Sequence, residues 1–314
     1  MILDGGSAIH FDPCWVSRAH GAGDELGESM RGGTLSIVVP VFNEERRLPA
    51  LLDELDTEAD RTLAAAHLEL VEVIVVDDGS DDTTAAILDA SAHLPGRLRS
   101  IRLSAHLGKG AAVKAGAQAA RGDRILMTDV DLSTPLEEVV TLSAELDRGV
   151  DFAMGSRSLP ASDVVVHQPA HRELAGKTFN LLFRLATGLA WRDTQCGFKL
   201  FERTTTRDLF ELQRIEGFAY DAELCVIADR LGLSVSEVPV RWVNNEDTRV
   251  TLFGSSLQMA LDLLRIAWRA RRLERPALDD VLRAKVDDAS VGRKQTVDLD
   301  SRIAVDERPK LPHP

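Results

Sequence analysis

Leu35-Ser36-Ile37-Val38-Val39-Pro40-Val41-Phe42-Asn43-Glu44-Glu45 decides the architecture. Its first seven residues form a nearly unbroken apolar run rich in β-branched side chains, and a polar stretch closes it. A run this short, followed by a helical pattern from about residue 46 to 67, reads as a strand buried on both faces. The same unit recurs outward along the chain. Val71–Val76 precedes a helical stretch at Thr83–Ala92, and Leu98–Leu103 precedes one at Gly110–Ala120. Arg124–Thr128 precedes Pro135–Arg148, and Phe152–Gly155 follows. This alternation predicts an α/β protein: a mostly parallel sheet with helices on both faces. In such sheets ligands gather at the carboxyl ends of the strands.

The composition narrows the function. The 314 residues are 44% hydrophobic, enough for a real core, and carry 50 acidic against 37 basic side chains, a net charge of −13. So acidic a chain repels polyphosphate, so nucleic acid is excluded as a main partner and phosphate must be held locally. The three cysteines, Cys14, Cys196 and Cys225, show neither disulfide nor zinc spacing, which fits a cytoplasmic setting. No apolar run is long enough to span a membrane, and the N-terminus lacks the pattern of a signal peptide. Residues 1–33 and 276–314 lack apolar periodicity and are expected to be tails. They flank a catalytic domain at 34–254 and an amphipathic helix at 255–275.

The strand ends carry the chemistry. Asn43 and Glu44 follow the first run, Asp77-Asp78-Gly79-Ser80-Asp81-Asp82-Thr83 the second and Asp129-Val130-Asp131 the fourth. Asp81 or Asp82 is expected to cap the next helix. Asp129 and Asp131 have no such explanation. Two carboxylates one residue apart at the end of a buried strand repel each other unless a cation lies between them. Hard oxygen donors favour Mg²⁺ or Mn²⁺ shared with a substrate diphosphate.

Together Val39–Glu44, Val76–Thr83 and Asp129–Asp131 resemble the motifs of glycosyltransferase family 2, whose fold is GT-A. Gly108-Lys109-Gly110, Gly155-Ser156-Arg157, Asp193–Phe201 and Gly217–Leu224 are similar to those of the dolichyl/polyprenyl-phosphate glucosyltransferases, relatives of dolichyl-phosphate mannose synthase. The resemblance implies inverting transfer of a sugar, glucose by preference, from a nucleotide-sugar donor such as UDP-glucose to a polyprenyl phosphate acceptor. It implies that Pro40, Phe42, Glu44 and Asp78 hold the nucleoside and that Asp129 lies near the ribose and sugar. Asp131 would bind the metal, with Asp129 and Ser133 nearby; Ser133 stands where the mannose synthases have a glutamine. Arg157, Arg172 and Arg249 would contact phosphate, and Lys109 the donor. Asp193 would pair with a basic residue in the acceptor site, and Asp221 would organise that site. A phosphate acceptor is already ionised near neutral pH, so it needs positioning more than deprotonation.

Two segments are candidates for an anionic membrane surface. Residues 171–191 alternate leucines and phenylalanines with Arg172, Lys177 and Arg184. In residues 255–275, Asp262, Arg265, Arg269 and Arg272 share one helical face, while Leu257, Leu261, Leu264 and Trp268 are apolar. A peripheral enzyme at the cytoplasmic face of a membrane is the expectation, of unassigned oligomeric state. The alternatives are a family 2 transferase using a soluble acceptor, or mannose or an N-acetylhexosamine as the sugar, and a nucleotide-sugar-binding module without activity.

Overall fold

A computed structural model describes residues 33–166, 169–244, 252–272 and 303–304. The tail expected at residues 1–33 lies outside the described residues except for Gly33. That residue opens strand β1 (Gly33–Val41). Helix α1 (Leu48–Ala64) follows, with Pro49 in its first turn, where proline's fixed φ suits helix entry. Leu48, Leu51, Leu52, Leu55, Ala59 and Leu63 repeat at three- and four-residue intervals and are all buried. Each such leucine contributes about 1.5–3 kcal/mol by leaving water.

The next units are β2 (Leu68–Asp77), α2 (Thr84–Ala90), β3 (Leu98–Leu103), α3 (Lys109–Ala119) and β4 (Arg124–Met127). A 3₁₀ turn at Leu136–Glu138 leads into α4 (Val139–Asp147), then β5 (Phe152–Ser156) and β6 (Asp163–Val166). Helix α5 (Ala170–Thr187), β7 (Lys199–Glu202), α6 (Arg203–Leu212), α7 (Tyr220–Leu231), β8 (Val235–Pro239), β9 (Arg241–Val243) and α8 (Leu252–Arg272) complete the body. Within the stretch read as a C-terminal tail, Ile303–Ala304 forms β10, and the rest of 276–314 lies outside the described residues.

The main sheet runs β10-β3-β2-β1-β4-β7-β5-β8. The pairs β1–β2, β2–β3, β1–β4 and β5–β8 are parallel, as the alternating pattern requires. β7 is antiparallel to both β4 and β5, so the sheet is mixed. This strand follows β6, α5 and the loop at residues 188–198, and it enters the sheet between β4 and β5. One expected apolar run also hides a charge. Glu72, buried in β2, accepts from Ser36 Oγ at 2.8 Å and from the Arg121 N–H at 2.7 Å and pairs with Arg99. Those partners offset the cost of burying its carboxylate.

Candidate active site

The carboxyl ends of β1, β2 and β4 meet at one edge. Their loops are stitched together by the motif residues themselves. Asn43 takes a left-handed φ of 56°, which asparagine tolerates, and its Oδ1 accepts from the Asp81 N–H at 2.9 Å. The Asn43 N–H donates to Ser80 Oγ at 2.9 Å, and the Glu44 N–H to Thr84 Oγ1 at 2.8 Å. Asp82 Oδ1 accepts from the Thr84 N–H at 2.9 Å, but the N-cap of α2 is Thr83, which makes no side-chain cap bond, so neither Asp81 nor Asp82 is the expected cap. The Glu44 carboxylate is forked by Arg47, which also reaches Asp131 Oδ2 at 3.5 Å.

Asp78 is buried and clamps the turn between β3 and α3. Its Oδ1 accepts from the Leu107 N–H and its Oδ2 from the Gly108 N–H, each at 2.8 Å. Burial pushes its carboxyl above the ordinary range, against the pull of those two N–H groups and of His106. His106 Nδ1 lies 2.8 Å from Asp78 Oδ2, and its ring stacks on Phe42 with centroids 3.8 Å apart. Gly108 takes a φ of 120°, and a Cβ there would stand 2.5 Å from the Glu216 carbonyl oxygen. Only glycine fits a turn so pressed. The clamp fixes the start of α3, and with it Lys109, whose Nζ reaches Asp129 Oδ1 at 2.6 Å. Burial would raise the Asp129 carboxyl, but the Lys109 ammonium outweighs it and holds the group below its usual range.

A cleft opens beside this pair, lined by Asp129, Asp131, Ser133, Arg157, Gln195 and Trp242 among others. Asp131 Oδ1 accepts from the Ser133 N–H at 3.1 Å. Arg157 lies over the Trp242 ring and forks onto buried Asp193 with bonds of 2.7 and 2.8 Å. The Arg157 N–H also donates to Asp193 Oδ2 at 2.9 Å. Burial works against the Asp193 charge, yet the guanidinium prevails and lowers its pKa. Gly197 lines the same cleft, and a Cβ there would overlap the Asp129 carboxylate.

The structure therefore gathers Asp129, Asp131, Ser133 and Arg157 around one space, with Lys109 paired to Asp129 and Asp193 anchoring Arg157. Phe42 and Asp78 meet at the adjacent His106, and Pro40 sits near the end of β1, paired with Val76. Asp221 is placed differently. It is buried on α7, ion-paired to fully buried Lys199, whose Nζ also donates to the Cys196 carbonyl, and it does not line the cleft. That geometry suits a positioning residue and not a group in contact with substrate. Arg172 falls in the first turn of α5 with its side chain outside the described residues, as is all of Arg249. Cys196 is a buried thiol pushed up by burial, unfit as a nucleophile. Sequence reasoning misses His106 and Arg47, and it reaches Lys199 and Gly197 only as members of the Asp193–Phe201 motif without a role. His106 follows β3, and the rule that ligands gather at strand ends reaches it.

Among the described residues no three His, Cys, Asp or Glu side chains converge into a self-sufficient metal centre. Asp129 and Asp131 nevertheless share the cleft, and the absent Cβ of Gly197 leaves room against Asp129. Two carboxylates beside open space fit a hard cation that takes its remaining ligands from a diphosphate and water.

Clustered carboxylates beside cations at the strand ends of an α/β sheet fit a GT-A-type glycosyltransferase. The chain belongs to glycosyl transferase family 2, whose family model matches residues 36–210. It is 37% identical over 256 residues to a dolichyl-phosphate beta-glucosyltransferase of Drosophila melanogaster, an alignment spanning 77% of this chain and 78% of that one. It is 35% identical to the Homo sapiens protein of the same name, over 75% of each chain. Its fold matches glucosyl-3-phosphoglycerate synthase from Mycobacterium tuberculosis, solved with Mn²⁺, UDP and glucosyl-3-phosphoglycerate. The TM-score is 0.53 at 23% identity, over 75% of this chain and 80% of that one. The protein is a glycosyltransferase.

Proposed function

We propose that this enzyme transfers glucose from UDP-glucose to a polyprenyl or dolichyl phosphate, inverting the anomeric centre. The observation that carries the reading is the cleft itself. Asp129, Asp131 and Arg157 line one space, and Lys109 pairs with Asp129 at its margin, a distribution suited to a diphosphate leaving group beside an anionic acceptor. The names of the relatives supply the acceptor class. Asp131 and Asp129, with Ser133 beside them, would hold a Mg²⁺ or Mn²⁺ ion, which neutralises the departing diphosphate. Arg157, preorganised by Asp193, offers a fork suited to phosphate oxygens. The acceptor phosphate enters as an anion and attacks without a general base, which agrees with Asp221 lying behind the cleft.

An isoprenoid tail must stay out of water, and the helices flanking the site offer it a surface. Leu174, Leu181, Leu182 and Leu185 project from one side of α5, and Leu261, Leu264 and Trp268 from one side of α8. The two helices pack together, and Asn180 of α5 accepts from Thr194 Oγ1 at 3.3 Å, next to Asp193. The surface differs from the cationic stripe expected at residues 262–272. Asp262 is buried and Arg269 turns inward to pair with buried Glu223 of α7, while Arg265 stays exposed. The exposed side of α8 thus joins Leu261, Leu264 and Trp268 to the cations Arg265 and Arg271. No helix among the described residues is long and apolar enough to cross a membrane. We place the enzyme peripherally at the cytoplasmic face, resting on this mixed apolar and cationic side.

The test is incubation of UDP-[¹⁴C]glucose with a short polyprenyl phosphate and Mn²⁺. The expected product is organic-extractable, mild-acid-labile label that Asp131→Ala abolishes. Label confined to water-soluble products would overturn the acceptor assignment.

A further inference from the structure

Asp78, the carboxylate that the family resemblance assigns to the nucleobase, is already engaged by its own chain. It accepts from the Leu107 and Gly108 N–H groups and from His106 Nδ1, all at 2.8 Å. Its burial confines it to these partners. What the strand edge presents outward instead is the imidazole that Asp78 holds. One face of the His106 ring lies against Phe42, with centroids 3.8 Å apart and planes 18° from parallel, while the side chain remains 55% exposed.

The ring has little freedom to leave. Asp78 grips both His106 Nδ1 and the two backbone N–H groups that follow it. On the other side, a Cβ on Gly79 would stand 2.8 Å from the His106 backbone nitrogen, so the β2 loop presses directly on this turn. An exposed aromatic ring backed by a second ring and fixed at its edge and backbone is a stacking platform. It belongs to the same turn as Lys109, whose ammonium faces the cleft carboxylate Asp129. A ligand with a planar ring at one end and phosphate at the other can thus span from His106 to Lys109.

We infer that His106, tethered by Asp78 and backed by Phe42, is the stacking platform for the nucleobase of the donor. Asp78 then acts through His106 as a positioning residue. The inference rests on the nucleotide-sugar reading above and adds to it the residue that reads the base. Stacking on an aromatic face tolerates any planar base, so the platform supplies affinity for the nucleoside, while hydrogen bonds elsewhere choose among bases.

The test is calorimetric titration of the full chain with UDP and, separately, with inorganic pyrophosphate, both with Mn²⁺. His106→Ala is expected to weaken UDP binding about tenfold or more, the scale of one lost base–aromatic stack, and to leave pyrophosphate binding unchanged. His106→Phe, which keeps an aromatic face on Phe42, is expected to recover most of the loss, separating lost stacking from a damaged fold. Equal or tighter UDP binding by His106→Ala would overturn the inference and identify the ring as a plug in the base site. An equal loss for UDP and pyrophosphate would also overturn it, by reducing His106 to a support for Lys109. If the wild-type chain bound pyrophosphate but not UDP, the nucleotide-sugar reading itself would fall, an outcome distinct from either of these.

Discussion

Lys109 Nζ lies 2.6 Å from Asp129 Oδ1, joining the first residue of α3 to the loop that ends β4. The pair closes a chain of contacts that begins at Asp78, which fixes the turn, and ends at the cleft. Lys109 is thus held by the fold against the carboxylate whose charge it balances.

Replacing Lys109 with methionine is expected to lower kcat by about 10²–10³, the scale of removing one preorganised charge stabiliser. Asp129 would also lose the ammonium that lowers its pKa. Its proton would then be held to higher pH, so the acid limb of the kcat/KM profile should move upward. A pH–rate profile measures both effects, and an unmoved acid limb would detach Lys109 from Asp129.

Gly197 supports Asp129 by lacking a side chain. Gly197→Ala should push the carboxylate aside and cost about a hundredfold in kcat/KM, as misplacing a catalytic group by about 1 Å does. The far-UV spectrum should be unchanged. Near wild-type activity would show that Asp129 can shift without consequence.

As far as β5, the order of strands and helices was legible because buried parallel strands write themselves as apolar runs. Leu98–Leu103 agrees at both ends with β3, and the other runs agree to within a few residues. The antiparallel β7 was not legible: its four residues resemble any short apolar run, and direction is set by a connection the pattern does not encode. In the site, Asp129, Asp131 and Arg157 were legible as polar residues at strand ends. The partners Lys199, Arg47 and His106 were less so, since pairing across 22 or 84 positions leaves no local periodicity. For α8 the charge spacing is helical, yet its members part ways: Asp262 and Arg269 turn inward and Arg265 outward. A stripe of charges with one buried acid reads equally well toward a membrane or toward Glu223.

Lys199 and Asp221 form an ion pair sealed from solvent. Lys199→Met strands a buried carboxylate and should destabilise the fold by about 3–5 kcal/mol. The double variant Lys199→Met, Asp221→Leu should recover part of that. Urea denaturation checks it, and additive losses would mean that the two side chains do not interact.

Acid should unfold the protein in part through Asp193. Its pKa is lowered in the folded state, so its stabilising contribution is complete above the unfolded value, about 3.9, and is lost as pH falls toward the folded value. Stability should hold from pH 7 to about 5 and decline below about 4. In Arg157→Met the buried carboxylate stands unpaired, so the penalty should be largest at pH 7 and shrink as acid protonates Asp193. A penalty independent of pH would show that the pairing is not electrostatic.

Leu264→Glu with Trp268→Glu should reduce co-sedimentation with phosphatidylglycerol-containing vesicles, since both changes place negative charge on the exposed side of α8. Arg269→Gln should lower the melting temperature, because its partner is Glu223. The opposite pattern would restore the cationic stripe as the membrane contact.

The most direct measurement offers the enzyme two acceptors at once. With UDP-[¹⁴C]glucose and Mn²⁺, a short polyprenyl phosphate and 3-phosphoglycerate compete at equal concentration, and label is partitioned between solvent and water. The account predicts label in the organic phase, released as glucose by mild acid, with little in the aqueous phosphoester. Preferential labelling of 3-phosphoglycerate would contradict it.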